Sequence, residues 1–359
     1  MLLILAAFMS NTFGNRLRLT TWGESHGAAI GGVIDGFPSG FRIDNAMIDS
    51  DLRRRATGNL PSASSRKETD RVEFLSGLTD GMTLGTPIAF MIRNSDCRSG
   101  DYEEFKDVFR PSHADYTYQA KYGLRDWRGG GRASARETAV RVVAGAMARQ
   151  WLMEHGVTVS AFTSRVGKVS MDGSYTDYEL DAARLTRFGT LDRDMDDCVE
   201  EYLASLRSVG DTVGGTATCV VRGLKAGVGE PLYDKLSARL AYAVMSIPAA
   251  KGFDYGVGFD GIDMTGLEQN DAFVWRDGEV HTLTNRSGGI QGGISNGEDI
   301  CFRVVFKPIP SIAMEQSTVN ATGDEVRLQV RGRHDVTVFP RVLPVVEAMA
   351  ALTVMDLML

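Results

Sequence analysis

Three histidines sit among glycine, serine and arginine: Gly23-Glu24-Ser25-His26-Gly27, Arg110-Pro111-Ser112-His113-Ala114-Asp115-Tyr116 and Gly332-Arg333-His334-Asp335. The chain has only five, and the other two, His155 and His281, lack such a setting. Imidazole changes charge near neutral pH, and arginine supplies fixed charge with a fork of donors that matches phosphate or carboxylate. The combination points to proton transfer beside an anion. Further arginines cluster as Arg53-Arg54-Arg55, as Arg66-Lys67, and as Arg125, Arg128, Arg132 and Arg136. Taken singly, each reads as solvated surface. On a chain with net charge −7 and pI 5.4 the clusters favour a small polyanionic ligand. The acidic balance argues against nucleic acid, whose binding needs a basic face.

These residues must be held by a substantial core. A length of 359 residues suggests about two domains, although single domains of this size occur. Hydrophobic residues at 43% and charged residues at 24% read as globular. Cys97, Cys198, Cys219 and Cys301 form no Cys-x-x-Cys, so a reducing cytoplasm and no structural metal are expected. Residues 1–8, Met1 to Phe8, resemble part of a signal peptide but lack a basic start and a cleavage site, and are too short to span a bilayer. Met9 opens a more ordinary polar start, so 1–8 read as an N-terminal extension.

Gly23, Gly27, Gly36 and Gly40 recur as Gly210, Gly214, Gly223 and Gly227, each 187 residues further on. A β-rich run lies between the glycines in both copies, and a helical pattern follows, about Asp44 to Arg55 and Pro231 to Met245. An internal duplication is expected, with halves at about 16–200 and 201–359. A weaker echo pairs Gly77–Gly81 with Gly293–Gly297. Ser25-His26 becomes Thr212-Val213 in the second copy, which predicts that only the first kept the chemistry.

The clearest helix follows Gly129-Gly130-Gly131-Arg132-Ala133. Ser134 and Glu137 read as a capping box, and Ala139, Val142, Val143, Ala146, Met147 and Trp151 continue at helical spacing to a stop at Gly156. Such a glycine-rich entry suits an anion, and suits an ordinary capped helix equally. Residues 343–359 form another helix, apolar nearly all round, whose Glu347, Asp356 and length favour burial or subunit packing. Gly23–Gly27 also fits Gly-x-Ser-x-Gly, the nucleophile elbow of α/β-hydrolases, but an elbow needs a helix after it and the next residues are β-like. Gly256-Val257-Gly258-Phe259-Asp260-Gly261 matches Gly-x-Gly-x-x-Gly without the helix a dinucleotide site needs. In Gly288-Gly289-Ile290-Gln291-Gly292-Gly293-Ile294-Ser295-Asn296-Gly297 the paired glycines suit a flat ligand, a tight chain crossing or a turn-rich loop. Lys307-Pro308-Ile309-Pro310-Ser311 ends the next strand as an extended segment, its lysine set for a phosphate or merely at the surface.

Together and in this order, Gly23–Gly27, Gly129–Thr138, Gly288–Gly297 and Gly332–Asp335 resemble the motifs of the chorismate synthase family, from about Met9 to the C-terminus. Each alone is weak; the ordered set is specific. The resemblance implies an α/β (α+β) fold: a single domain over 9–359, a pseudo-symmetric β-α-β sandwich with helices between two sheets. It implies the anti-1,4-elimination of phosphate from 5-enolpyruvylshikimate 3-phosphate to give chorismate, the last step of the shikimate pathway. That reaction requires reduced FMN without net redox change. A homotetramer and an external flavin reductant are expected, with NADPH at most an indirect source; no membrane or metal is.

By the same resemblance His26 protonates the departing phosphate, His113 serves the reduced flavin near N1, and Asp335 works with flavin N5 in removing the C6 hydrogen. Ser25 and Ser134 lend hydrogen bonds. Flavin contact is expected from Arg132, Ala133, Ser134, Pro248, Ala249, Gly292, Lys307, Pro308, Ile309, Pro310, Ser311 and Arg333. Arg53, Arg54 and Arg136 are expected on the substrate's anions, Arg54 matching a position also associated with NADP. His334 is assigned to positioning. The chain departs from many relatives after the triplet, where Ala56-Thr57-Gly58 replaces Pro-Gly and a further arginine, so Arg66 is a candidate substitute. Ala133 stands where serine is common. Two alternatives stay open: a serine hydrolase using Ser25, and a flavin- or phosphate-binding protein without turnover.

Overall fold

The computed structural model describes residues 11–56, 70–94, 103–330 and 335–359. The expected extension at 1–8 lies outside them, as do Arg66, Lys67, Cys97, Arg333 and His334. The first part of the chain forms β1 (Thr12–Phe13), β2 (Arg18–Trp22), β3 (Ala29–Asp35), α1 (Asn45–Arg55), β4 (Val72–Phe74), the hairpin β5 (Leu78–Thr79) and β6 (Met82–Thr83), β7 (Ile88–Arg93), α2 (Asp115–Tyr122) and α3 (Thr138–Glu154). There follow β8 (Thr158–Val166), β9 (Val169–Ser170), α4 (Arg193–Val209), β10 (Gly215–Arg222), α5 (Leu236–Met245), β11 (Ala250–Tyr255), α6 (Gly266–Gln269), and the hairpin β12 (Phe273–Arg276) and β13 (Glu279–Thr282). The last elements are the hairpin β14 (Ile290–Gln291) and β15 (Ile294–Ser295), β16 (Ile300–Phe306), the hairpin β17 (Gln316–Val319) and β18 (Glu325–Leu328), and α7 (Leu343–Met358).

Two five-stranded antiparallel sheets result, in the orders β1-β2-β3-β7-β4 and β9-β8-β10-β16-β11. Apart from the edge strands β1 and β9 and the elements inserted in the connections, each follows the same succession: two strands, a helix, two strands with a hairpin between them, and a final helix. The second sheet begins at Thr158, directly after α3. The hairpins β5–β6 and β14–β15 correspond at an offset of 212 residues (290 − 78), which matches Gly77, Gly81 and Gly85 to Gly289, Gly293 and Gly297. All six have positive φ. The echo read from sequence was therefore displaced by four residues.

The helices fill the space between the sheets. α3 packs on β2, β3 and β8, α7 on β8 and β10, and the two helices cross each other at the centre. Gly145 makes that crossing possible, since a Cβ there would lie 2.2 Å from the Ala348 Cβ. The strands alternate, as in β2 and β16, because each sheet is covered on one face. α7 is buried almost throughout, and its two carboxylates have fixed partners. Asp356 accepts from the backbone N–H groups of Asn15, Arg16 and Leu17 and from Arg239, which ties the last helix to the first strands. No helix among the described residues is long and apolar enough to cross a membrane.

Helix entries depart from the sequence reading in two places. α1 begins as expected, Asp44 accepting from Ala46 N at 2.8 Å. Ser134 instead caps a short 3-10 turn, accepting from Arg136 N at 3.3 Å, while Glu137 turns to Thr21 and Arg141. α5 starts at Leu236, so Pro231 precedes it and does not sit in its first turn.

Candidate active site

The β2–β3 turn carries Ser25 and His26. Gly23 at φ +95° lets the chain leave β2, since a Cβ there would come within 2.4 Å of Ala29 O. Ser25 Oγ lies 3.1 Å from His26 Nδ1. The glycine run 129–131 packs directly on this pair. A Cβ on Gly129 would come within 2.1 Å of His26 Cε1 and 2.9 Å of Ser25 Oγ, and Ser25 N donates to Gly131 O at 3.4 Å. Two motifs a hundred residues apart thus become one surface. Beside them, burial raises the Asp126 carboxyl, but hydrogen bonds from Arg128, with the charge of Arg128 and of His26 nearby, hold it below the usual range. The Arg132 side chain points the other way, to Gly23 O, Asn11 and Thr21, which leaves backbone as its means of touching a ligand.

Arginines join this surface to Asp335. Arg55 is buried and donates to Ala135 O at 3.2 Å and to Asp70 at 3.2 Å. Arg136 takes the other Asp70 oxygen at 2.5 Å and donates through Nε to Asn94 Oδ1 at 3.0 Å. Arg341 pairs with Asp335 and donates through Nε to Arg55 O at 3.0 Å. Among these residues three guanidiniums face two carboxylates, leaving net positive charge.

Arg54 is placed differently from its expected role. It binds Glu347 through both nitrogens at 2.6 and 2.9 Å and Asp51 at 3.1 Å, in a cluster that includes Arg149. Successive helical residues point about 100° apart, so within the triplet Arg55 faces the His26 side while Arg54 faces α7. Arg53 is exposed. Burial opposes the charge of Glu347, and Arg54 and Arg149 more than offset it, holding the carboxyl well below its ordinary range.

His113 belongs to a second cluster. Its Nδ1 lies 3.0 Å from Pro111 O and its Nε2 3.0 Å from Ser311 Oγ; Lys307 Nζ donates to Ser112 O at 2.8 Å. Pro111 O can only accept, so Nδ1 carries the proton and Nε2 accepts from Ser311. Burial and the neighbouring Arg110 depress His113 to about 4, leaving it neutral at pH 7. Asp115 holds Arg110 at 2.8 Å and Arg125 at 3.1 Å, so these arginines are scaffold. Lys307 N donates to Ala249 O at 2.9 Å, bringing Pro248 and Ala249 beside the 307–311 segment. Lys307 is itself lowered by burial and by Lys251.

Gly292 is not tied to that cluster by any of these contacts. It turns the β14–β15 hairpin, which bonds to Leu236 at the start of α5, whereas Pro248 lies past the end of that ten-residue helix, about 15 Å away at 1.5 Å per residue. A Cβ on Gly292 would meet nothing within 4 Å, whereas Gly288 and Gly256 are pressed together. Of the paired glycines, Gly288 therefore serves a tight chain crossing against Gly256. Sequence reasoning missed Asn94, Asp70 and Arg341. Arg341's position six residues past Asp335 was a usable signal; Asn94 and Asp70 offered none.

The family model described as chorismate synthase matches residues 17–359. Proteins named chorismate synthase from Bacteroides thetaiotaomicron and Bacteroides fragilis are 52% and 51% identical over 348 residues, 97% of each chain. One from Flavobacterium psychrophilum is 47% identical over 349 residues. A crystal structure of chorismate synthase superposes with a TM-score of 0.76 at 28% identity, covering 96% of this chain and 92% of the other. The chain belongs to the chorismate synthase family.

Proposed function

We propose that this lyase of the shikimate pathway converts 5-enolpyruvylshikimate 3-phosphate to chorismate and phosphate by anti-1,4-elimination, with reduced FMN as cofactor. The observation that carries the reading is the continuous assembly of the Ser25–His26 turn, the glycine run 129–131 and the Arg55, Arg136 and Arg341 cluster that reaches Asp335. An acid, a carboxylate and fixed positive charge are what loss of phosphate and removal of a hydrogen need. The donor set also fits the flavin: Lys307, Lys251 and the hydroxyl of Ser311 suit its polar groups.

His26, oriented by Ser25, gives a proton to the departing phosphate. Arg55, Arg136 and Arg341 supply the field that favours the substrate's anions, and Arg341 holds Asp335 for its part in hydrogen removal. Backbone at Arg132, Ala133 and Ser134 shapes the wall beside His26. When bound, the reduced flavin supplies a transient electron and a hydrogen acceptor at N5. His113, neutral by itself, becomes a donor when an anionic partner raises its proton affinity. We place the enzyme in the cytoplasm, as a homotetramer with an external flavin reductant.

The test is an anaerobic assay with dithionite-reduced FMN and the enolpyruvyl substrate. Chorismate and phosphate should appear together, and no product would end the proposal; FMN binding without product would favour a binding protein. The hydrolase alternative loses its basis because Ser25 lies between two antiparallel strands, with no helix after it.

A further inference from the structure

We propose that Asn94 is a positioning residue for His26, acting by clamping both ends of the turn that carries it; the inference deepens the reading of the site given above. Asn94 is the first residue beyond β7, and its backbone N–H donates to Ala28 O at 3.1 Å. Its side-chain NH2 donates to Glu24 O at 3.0 Å and to Gly27 O at 2.9 Å. Its Oδ1 accepts from Arg136 Nε at 3.0 Å. These partners fix the amide's orientation, since an amide oxygen cannot face two carbonyls, nor its NH2 accept from a guanidinium.

Glu24 and Gly27 bracket Ser25 and His26, so one side chain grips the turn at both ends. Its far side holds Arg136, which meets Asp70 and Arg55 in the cluster that Arg341 ties to Asp335. Asn94 thereby relates the placement of His26 to that of Asp335. Without it the turn keeps its own Gly27 N to Glu24 O bond at 3.1 Å and the Ser25 N to Gly131 O bond at 3.4 Å. The turn should persist but loosen, which affects chemistry more than folding. Aspartate is the discriminating replacement: it keeps an oxygen for Arg136 and sets another against two carbonyl oxygens.

The experiment compares N94A and N94D, each alone and combined with H26A, in the anaerobic assay. Thermal unfolding and the 15N-labelled histidine ring spectrum are recorded alongside. Both variants should lower kcat by on the order of 10- to 100-fold, with KM for the enolpyruvyl substrate and FMN affinity within about threefold. With His26 already replaced, the Asn94 changes should cost less than about twofold more. The His26 ring signals should move while those of His281 stay. A full loss that persists in the H26A background would overturn the proposal. If the unmodified protein makes no chorismate, the reaction reading fails, and the ring spectrum decides this one separately: His26 signals unmoved by N94A refute it. Should N94A fail to fold, N94S, which keeps one donor, takes its place under the same criteria.

Discussion

At corresponding places in the two halves, one turn carries the proposed chemistry and the other has become scaffold. Between β2 and β3, six residues hold Ser25 and His26. Between β8 and β10, the chain instead inserts β9 and α4 before reaching Gly210-Asp211-Thr212-Val213-Gly214. There Thr212 Oγ1 donates to Ile309 O at 2.7 Å, and Val213 N donates to Val336 O at 2.9 Å. The counterpart of the histidine turn thus anchors the segment bearing Ser311 and Asp335. We propose that the halves arose by duplication, the sheets and central helices keeping their geometry while the connections diverged. The segments 94–137 and 307–342, each joining a last sheet strand to a central helix, hold most of the proposed site. They also grip one another, Phe109 N donating to Val319 O at 3.1 Å and Ala321 N to Asp107 O at 2.7 Å.

The sharpest way to break the comparison is to alter both turns. His26→Ala should lower kcat by on the order of 10²- to 10⁴-fold with FMN affinity retained, whereas Val213→Ala should cost less than about 2 kcal/mol of stability and little turnover. Equal losses of kcat would remove the distinction. Asp335→Ala should resemble His26→Ala, which steady-state kinetics beside flavin titration would reveal.

The centre between the halves is tested next. Glu347→Ala leaves Arg54 and Arg149 with Asp51 as the one carboxylate they share and should cost about 3–5 kcal/mol in denaturant unfolding. Arg54→Ala should follow it in stability with KM unchanged; a raised KM and normal stability would return Arg54 to the substrate. Gly145→Val, which drives a side chain into Ala348, should cost about 1–3 kcal/mol or more.

Much of this architecture was legible because local signals and tertiary demands agreed. Asp44 before an apolar rhythm marks α1, and the recurring glycines other than Gly27 and Gly214 mark turns whose positive φ no other residue adopts easily. The failures came where a side chain had two uses. Glu137 sits at the capping-box position, yet a buried threonine and Arg141 claim it. Three consecutive arginines cannot disclose which one faces a ligand, since that depends on which carboxylates arrive from α7 and from Asp70. The clamp made by Asn94 needs β7 to end opposite Ala28, a matter of strand register that no spacing within one segment records.

The mildest test concerns His113, where the two long connections meet. Burial and Arg110 lower its proton affinity to about 4, against partial compensation from Pro111 O and Asp115, with Lys307 adding to the depression. An unfolded histidine titrates near 6.5, so between these values the unfolded chain binds the additional proton. This contribution is complete above about pH 6.5 and is lost as pH falls toward 4. His113→Asn, whose amide can still donate to Pro111 O, should remove that dependence. The stability difference between the two proteins, measured by denaturant unfolding at intervals across this range, should drift by on the order of 1–3 kcal/mol. A parallel pair of curves would mean that folding leaves the proton affinity of His113 where the unfolded chain has it, and a drift of opposite sign would make it a cation ready for the flavin before anything binds.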